Sequence, residues 1–252
     1  MRFQADMVAH CLLHALGATI FAGCTYYDTH VLFLTDPDDP HHHVVKQLAF
    51  ERDRLGGRWK YLTIWGLTCQ LVYYCLAVVN DLFGSNTFDK SKVTKLQKIR
   101  DVFFTSIALP VGMLVSIMFW GVFVVDRELV FPAILDAHYP ALLNHGVHTM
   151  PLLIGLLEVA LERHNYACNR LSLGLLLGFL ATYLGWTLHL ALVENLWVYG
   201  ILRVLSWPMR VAFMGVNLLI GVCLFFLGKG FDNFVWGNEK ALAQVDSTKK
   251  RR

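Results

Sequence analysis

The sequence predicts an all-α fold: a polytopic membrane helix bundle with about six transmembrane helices. Three observations predict it. Of 252 residues, 56% are hydrophobic and only 16% charged, and the mean hydropathy is positive, a balance too apolar for a soluble domain of this length. Apolar runs of about 20 residues recur, the length a helix needs to cross a hydrocarbon core of about 30 Å, and too long for the strands of a barrel. The polar stretches between these runs leave no room for a soluble domain, so residues 1–252 are read as one integral membrane domain.

Taken in order, the spans fall near 7–27, 61–83, 102–125, 141–161, 171–193 and 211–227. The first is short and rich in Ala and Gly, a pattern that also suits a signal peptide, but His10 and His14 within it argue for a retained span. A long polar loop, 36–60, follows; its adjacent His41, His42 and His43 read as solvated residues rather than a metal site. The second and third spans flank a basic loop, 84–100, with Lys90, Lys92, Lys95 and Lys98. An acidic turn, 126–140, leads into the fourth span, and Arg163 and Arg170 lie before the fifth. Residues 228–252 form a basic tail.

Lys and Arg are denser on the face that collects Arg2, the 84–100 loop, Arg163, Arg170 and the tail, which puts both termini in the cytosol. The chain ends Lys249-Lys250-Arg251-Arg252, an arrangement read by retrieval machinery of the endoplasmic reticulum and equally suited to touching anionic lipid. The expected location is the endoplasmic reticulum or the plasma membrane. A net charge of +3, spread over short loops, gives no footprint for nucleic acid. Cys11, Cys24, Cys69, Cys75 and Cys223 lie in apolar stretches as packing residues, Cys168 lies in a loop, and no CxxC or Cys/His metal spacing occurs.

Polar side chains inside spans cost free energy and so face the bundle interior or a cavity. The chain offers His10, His14, Thr63, Asn144, His145, His148, Thr149, His189 and Glu194. Thr63 follows the outer loop by about one helical turn and His148 follows the acidic turn by about two, so at about 1.5 Å per residue both lie in the outer half. The fifth span runs outward and carries His189 and Glu194 to the same side. His145 and His148, one turn apart, should share one buried face. A transmembrane threonine usually bonds back to its own helix, whereas a buried imidazole is rarer and a stronger functional candidate. His10 and His14, with His148 or His189, could ligate a metal or haem iron; against this, there is no HExxH motif and no second paired-histidine helix. No serine sits in a G-x-S-x-G elbow.

Several spaced blocks point further. They are Gly56-Gly57-Arg58-Trp59-Lys60-Tyr61-Leu62-Thr63; Arg100-Asp101 with Leu109-Pro110-Val111-Gly112 and Phe119-Trp120; Asp126-Arg127-Glu128 to Pro132; Asn144-His145-Gly146-Val147-His148-Thr149; and Trp197-Val198-Tyr199. In content and order the chain from about Gly56 onward resembles the androgen-induced-1 family of membrane proteins. The resemblance implies a threonine hydrolase that cleaves fatty acid esters of hydroxy fatty acids, with Thr63 as nucleophile and His148 as base, and it requires neither cofactor nor metal. Asn144 or Glu194 could orient the base, and Asn144, His145 or Trp65 could donate to the oxyanion. A site buried in the bilayer suits a lipid ester entering laterally. The competing reading is a non-enzymatic lipid-binding regulator or carrier.

Overall fold

In a bilayer every backbone polar group must find a partner within the protein, and a helix satisfies its own. The computed structural model describes residues 2–31 and 55–249, and among them there is no strand. His41, His42 and His43, most of the 36–60 loop, and the terminal Lys250, Arg251 and Arg252 lie outside the described residues. The helices are α1 (Arg2–His30), α2 (Leu62–Phe83), α3 (Lys95–Phe103), α4 (Leu109–Val125), α5 (Ala141–His148), α6 (Met150–Leu161), α7 (Asn169–Leu192), α8 (Gly200–Val204) and α9 (Trp207–Lys249). Short 3-10 turns cover Gly57–Lys60, Arg127–Leu129 and Ala133–Ala137.

Among the described residues, five helical stretches are long and apolar enough to cross a membrane: Val8–His30, Leu62–Phe83, Lys95–Val125, Asn169–Leu192 and Trp207–Ala243. The fourth of the six expected spans differs. It is divided into α5 and α6, of 8 and 12 residues. Pro151 stands in the first turn of α6; it has no N–H to give to the carbonyl of Val147, and its ring crowds that carbonyl. Thr149 absorbs the break at φ −114°.

The third and sixth spans are longer than expected. Thr94 caps α3 by accepting the N–H of Gln97 at 3.2 Å, which starts the helix ahead of residue 102. Pro110 opens α4, and since it cannot donate to a carbonyl in the preceding turn, Phe104–Ala108 widens into a π-helical turn. Gln70 steadies that turn by donating to the Ala108 carbonyl at 2.7 Å. Beyond Leu227 no proline interrupts α9. It continues along the bundle, where Trp236 donates its indole N–H to the Val159 carbonyl at 2.8 Å and Glu239 pairs with Arg163 at 2.9 Å.

The continuous Lys95–Val125 rod is central, more than half buried. It packs against α2, α6 and α9, while α1 lies along α2. Phe21, Tyr73, Tyr74, Phe104, Leu109, Leu114, Leu176 and Phe225 form the core. Leu12, Leu16, Val72, Val79 and Leu219 are exposed, an outward apolar surface that a bilayer covers. Asp28, late in α1, pairs with Arg58 at 2.5 Å just before α2, so the two helices run antiparallel. The bundle thus has one end with the Gly57–Lys60 turn and another with the basic 84–94 loop.

Gly17 lets α1 approach α2 closely, because a Cβ there would lie 2.5 Å from the Tyr74 ring. Gly17→Val should therefore destabilise the protein by about 1–3 kcal/mol through overpacking. At Gly23, where among the described residues nothing lies within 4 Å of a Cβ, Ala should leave stability unchanged or raise it by up to about 1 kcal/mol, its helix-propensity advantage over glycine. Thermal unfolding of the detergent-solubilised variants checks both, and equal midpoints would contradict the packing of α1 on α2.

Candidate active site

The chain enters α2 through Gly56 and Gly57, with φ of +84° and +60°, values that glycine adopts without strain. A Cβ on Gly56 would also come within 2.5 Å of the Trp186 ring, so the turn can lie this close to α7 only without a side chain. Two tyrosines then fix the start of the helix. Tyr183 donates its hydroxyl to the Lys60 carbonyl at 3.0 Å, and the N–H of Leu62 donates to the Tyr199 hydroxyl at 2.9 Å. The two phenols lie 3.1 Å apart; with the Tyr183 proton directed at Lys60, Tyr199 is the donor between them.

This anchored turn presents Thr63. Thr19, Thr68 and Thr182 turn their hydroxyls back onto the carbonyl four residues earlier, at 2.8 Å in each case. Thr63 is the second residue of α2, and the carbonyl four residues before it, on Trp59, accepts the indole N–H of Trp65 at 2.7 Å. The Thr63 hydroxyl instead lies 3.3 Å from Nε2 of His148.

His148 is buried, as is Asn144. Its Nδ1 lies 2.8 Å from Oδ1 of Asn144 and 3.2 Å from the Asn144 carbonyl. A backbone carbonyl only accepts, so Nδ1 carries the proton, and Nε2 is left with a lone pair directed at the threonine hydroxyl. Phe119 stacks on the imidazole with centroids 3.5 Å apart and planes within 10°, which fixes the ring plane. The turn leading to α5 is held by Arg127, which bonds Asp136 at 2.6 and 2.9 Å. This hydrogen bond keeps the exposed Asp136 carboxyl below its ordinary range. Thr63 opens on a cavity of about 150 Å³ whose other walls include Phe119, Tyr183, Tyr199, Leu202 and Phe213; among the described residues no Asp, Glu, Lys or Arg lines it.

The structure thus brings Thr63, His148 and Asn144 together. His145 is exposed, stacks on Trp120 with centroids 5.3 Å apart, and lies 3.0 Å from the Thr149 hydroxyl. It does not share a buried face with His148: at 3.6 residues per turn the two lie about 60° apart around α5, and the boundary between the buried and exposed faces falls between them. Trp65 gives its N–H to Trp59 and sets its ring against Phe179 and Tyr183. Glu194 is exposed in the turn after α7, and His189 is exposed against Trp186. His10 and His14 face Glu162 and Asp81, not His148 or His189, so the competing metal or haem set of those histidines is not assembled. Phe119, Tyr183 and Tyr199 were not singled out as individual site residues from sequence. Tyr199 stood in the Trp197-Val198-Tyr199 block, and Tyr183 with Thr187 marks one buried stripe of α7.

Residues 9–233 match the family model for the FAR-17a/AIG1-like protein. The chain is 31% identical over 195 residues to the human androgen-induced gene 1 protein, covering 75% of this chain and 82% of that one. It is 32% identical over 183 residues to the human androgen-dependent TFPI-regulating protein, covering 73% and 79%. It is 24% identical over 179 residues to a Schizosaccharomyces pombe protein named as a membrane protein, covering 71% and 76%. No solved structure matches the chain. The blocks around Thr63, His148 and Tyr199 all fall within the matched residues, and the chain belongs to the FAR-17a/AIG1-like protein family.

Proposed function

We propose that this protein is a membrane-embedded carboxylic ester hydrolase that cleaves fatty acid esters of hydroxy fatty acids, with Thr63 as nucleophile and His148 as base. The observation that carries this reading is the Thr63–His148–Asn144 relay at the edge of an apolar cavity. A threonine hydroxyl of ordinary acidity attacks an ester slowly unless a base takes its proton during attack. The 3.3 Å approach of Nε2 of His148 to the Thr63 hydroxyl supports that transfer. The Thr63 oxygen adds to the ester carbonyl as its proton passes to Nε2, and the tetrahedral intermediate collapses. The hydroxy fatty acid then leaves as an alcohol, with the proton returned from Nε2. Water, deprotonated by the same nitrogen, cleaves the acyl-threonine and restores Thr63. Asn144 orients the imidazole and supports the imidazolium formed at each step.

A cavity of about 150 Å³ is smaller than the roughly 300–1,000 Å³ that encloses a drug-sized ligand. The ester and the adjacent methylenes occupy it, and the remaining chain length lies in the bilayer, consistent with lateral entry. With the basic 84–94 loop and the C-terminus in the cytosol, Thr63 lies in the outer half of the membrane, of either the endoplasmic reticulum or the cell surface. The whole chain acts as one membrane domain. A lipid-binding regulator or carrier would use the same apolar cavity without cleavage, and the name of the human androgen-dependent TFPI-regulating protein favours keeping that reading. Such a role gives no reason for a threonine hydroxyl to meet an oriented imidazole.

Membranes carrying Thr63→Ala or His148→Ala at matched expression should hydrolyse such an ester at least about 100-fold more slowly than wild type, while Cys69→Ala should retain wild-type activity. Unchanged hydrolysis in Thr63→Ala would refute the mechanism. Tyr199→Phe removes the hydroxyl that holds the Leu62 N–H and should reduce kcat with the protein still folded. Its failure to do so would separate the tyrosine pair from nucleophile placement.

A further inference from the structure

At the end of the bundle away from Thr63, three elements distant in sequence bring together side chains that ester hydrolysis does not use. α1 supplies His10 and His14, α2 supplies Asp81, and α6 with its C-terminal boundary supplies Glu158 and Glu162. His14 is the hub. Its Nδ1 lies 2.6 Å from Asp81 Oδ2, and its Nε2 lies 3.1 Å from Glu158 Oε1 and 3.9 Å from Glu162 Oε2. Ligand atoms of His14, Asp81 and Glu162 all lie within 4.8 Å of one another. His10 bonds the same Glu162 oxygen. Glu158 comes ten residues after His148, about 15 Å further along the span, so this cluster is separate from the hydrolytic site.

Two observations mark it as more than a salt-bridge network. The first is charge. Asp81, Asp101, Glu158 and Glu162 are four carboxylates, and among the described residues Arg100 is their only guanidinium or ammonium partner, contacting Asp101 and one oxygen of Glu162. Four carboxylates thus share one permanent cation in a region where Glu158, Glu162 and His14 are buried, a surplus of negative charge that a low-dielectric interior disfavours unless further positive charge is bound there. The second is an open valence. Glu158 is fully buried, yet its Oε2 has no hydrogen-bond partner among the described residues, and the same is true of Nδ1 of His164, whose Nε2 lies 3.6 Å from Glu158 Oε1.

We infer that this cluster binds one divalent transition-metal ion of the zinc type through His14, Asp81 and Glu162. Mixed imidazole and carboxylate donors suit zinc, whereas magnesium and calcium take oxygen ligands. Only one nitrogen of His14 can meet the ion, and the other keeps a carboxylate partner, the arrangement that orients metal-bound imidazoles. His10 and Arg100, both on Glu162, hold that ligand in place. The ion adds two positive charges to this acidic cluster and pins α1 to α2 and α6, so its role is to hold the N-terminal helix in the bundle.

The test uses the full-length chain purified in detergent, with bound metal measured by inductively coupled plasma mass spectrometry. Wild type and Thr63→Ala should carry about one equivalent of zinc, the content of a single-ion site, and Asp81→Asn and His14→Gln should lose it. Independently of any variant, wild type stripped by a chelator should regain a higher thermal-unfolding midpoint on addition of ZnCl2 but not of MgCl2. Folded, monodisperse wild type that carries no zinc and shows no shift with ZnCl2 would overturn the inference. Zinc that persists undiminished in both Asp81→Asn and His14→Gln would overturn its assignment to these residues.

Discussion

Inside a hydrocarbon layer no water answers an unpaired polar group, so each polar side chain in a span must be met by another part of the protein. Most of the arrangement seen here depends on that constraint. Gln70 donates to the Ala108 carbonyl of the π-helical turn, Thr68 and Thr182 satisfy themselves on their own helices, and the start of α2 is met by Tyr183 and Tyr199. Where no local partner exists, polar groups from different helices are drawn together. Thr63 and His148 meet in this way at one end, and His14, Asp81, Glu158 and Glu162 at the other.

The helix break at Thr149 and Pro151 serves the first of these meetings. It ends α5 at His148, so the imidazole sits in the last turn of a short helix set by the Arg127–Asp136 turn, not in the middle of a continuous span. Asn144, one turn earlier, then faces Nδ1. Thr63 reaches Nε2 because it lies in the first turn of its own helix, where the Trp59 carbonyl is already engaged by Trp65. Two helix ends therefore supply a pair that two helix middles would have satisfied internally.

Helical class and the common level of Thr63 and His148 were legible in the sequence, because hydropathy and a rise per residue determine them. The division of 141–161 was signalled by Pro151, but an apolar run alone reads as one span. The length of α9 was hidden because its polar half, past Leu227, is held by contacts such as Trp236 on Val159 that hydropathy does not record. His145 and Trp65 lie near the site in sequence but turn to other partners, since spacing along a helix leaves the angle around its axis undetermined, and Glu194 falls in the turn beyond α7. The same limit concealed the partners of His10 and His14: their spacing was visible, but the carboxylates on α2 and α6 that face them depend on packing.

The measurement that bears most directly on the central claim is covalent labelling of the wild-type protein in membranes with a fluorophosphonate, followed by mass spectrometry to locate the adduct. An activated hydroxyl beside an oriented base should carry the adduct on Thr63, and His148→Ala should abolish it. Absence of label from Thr63 in folded wild-type protein that binds the lipid ester would contradict the account and leave the cavity a lipid-binding site alone.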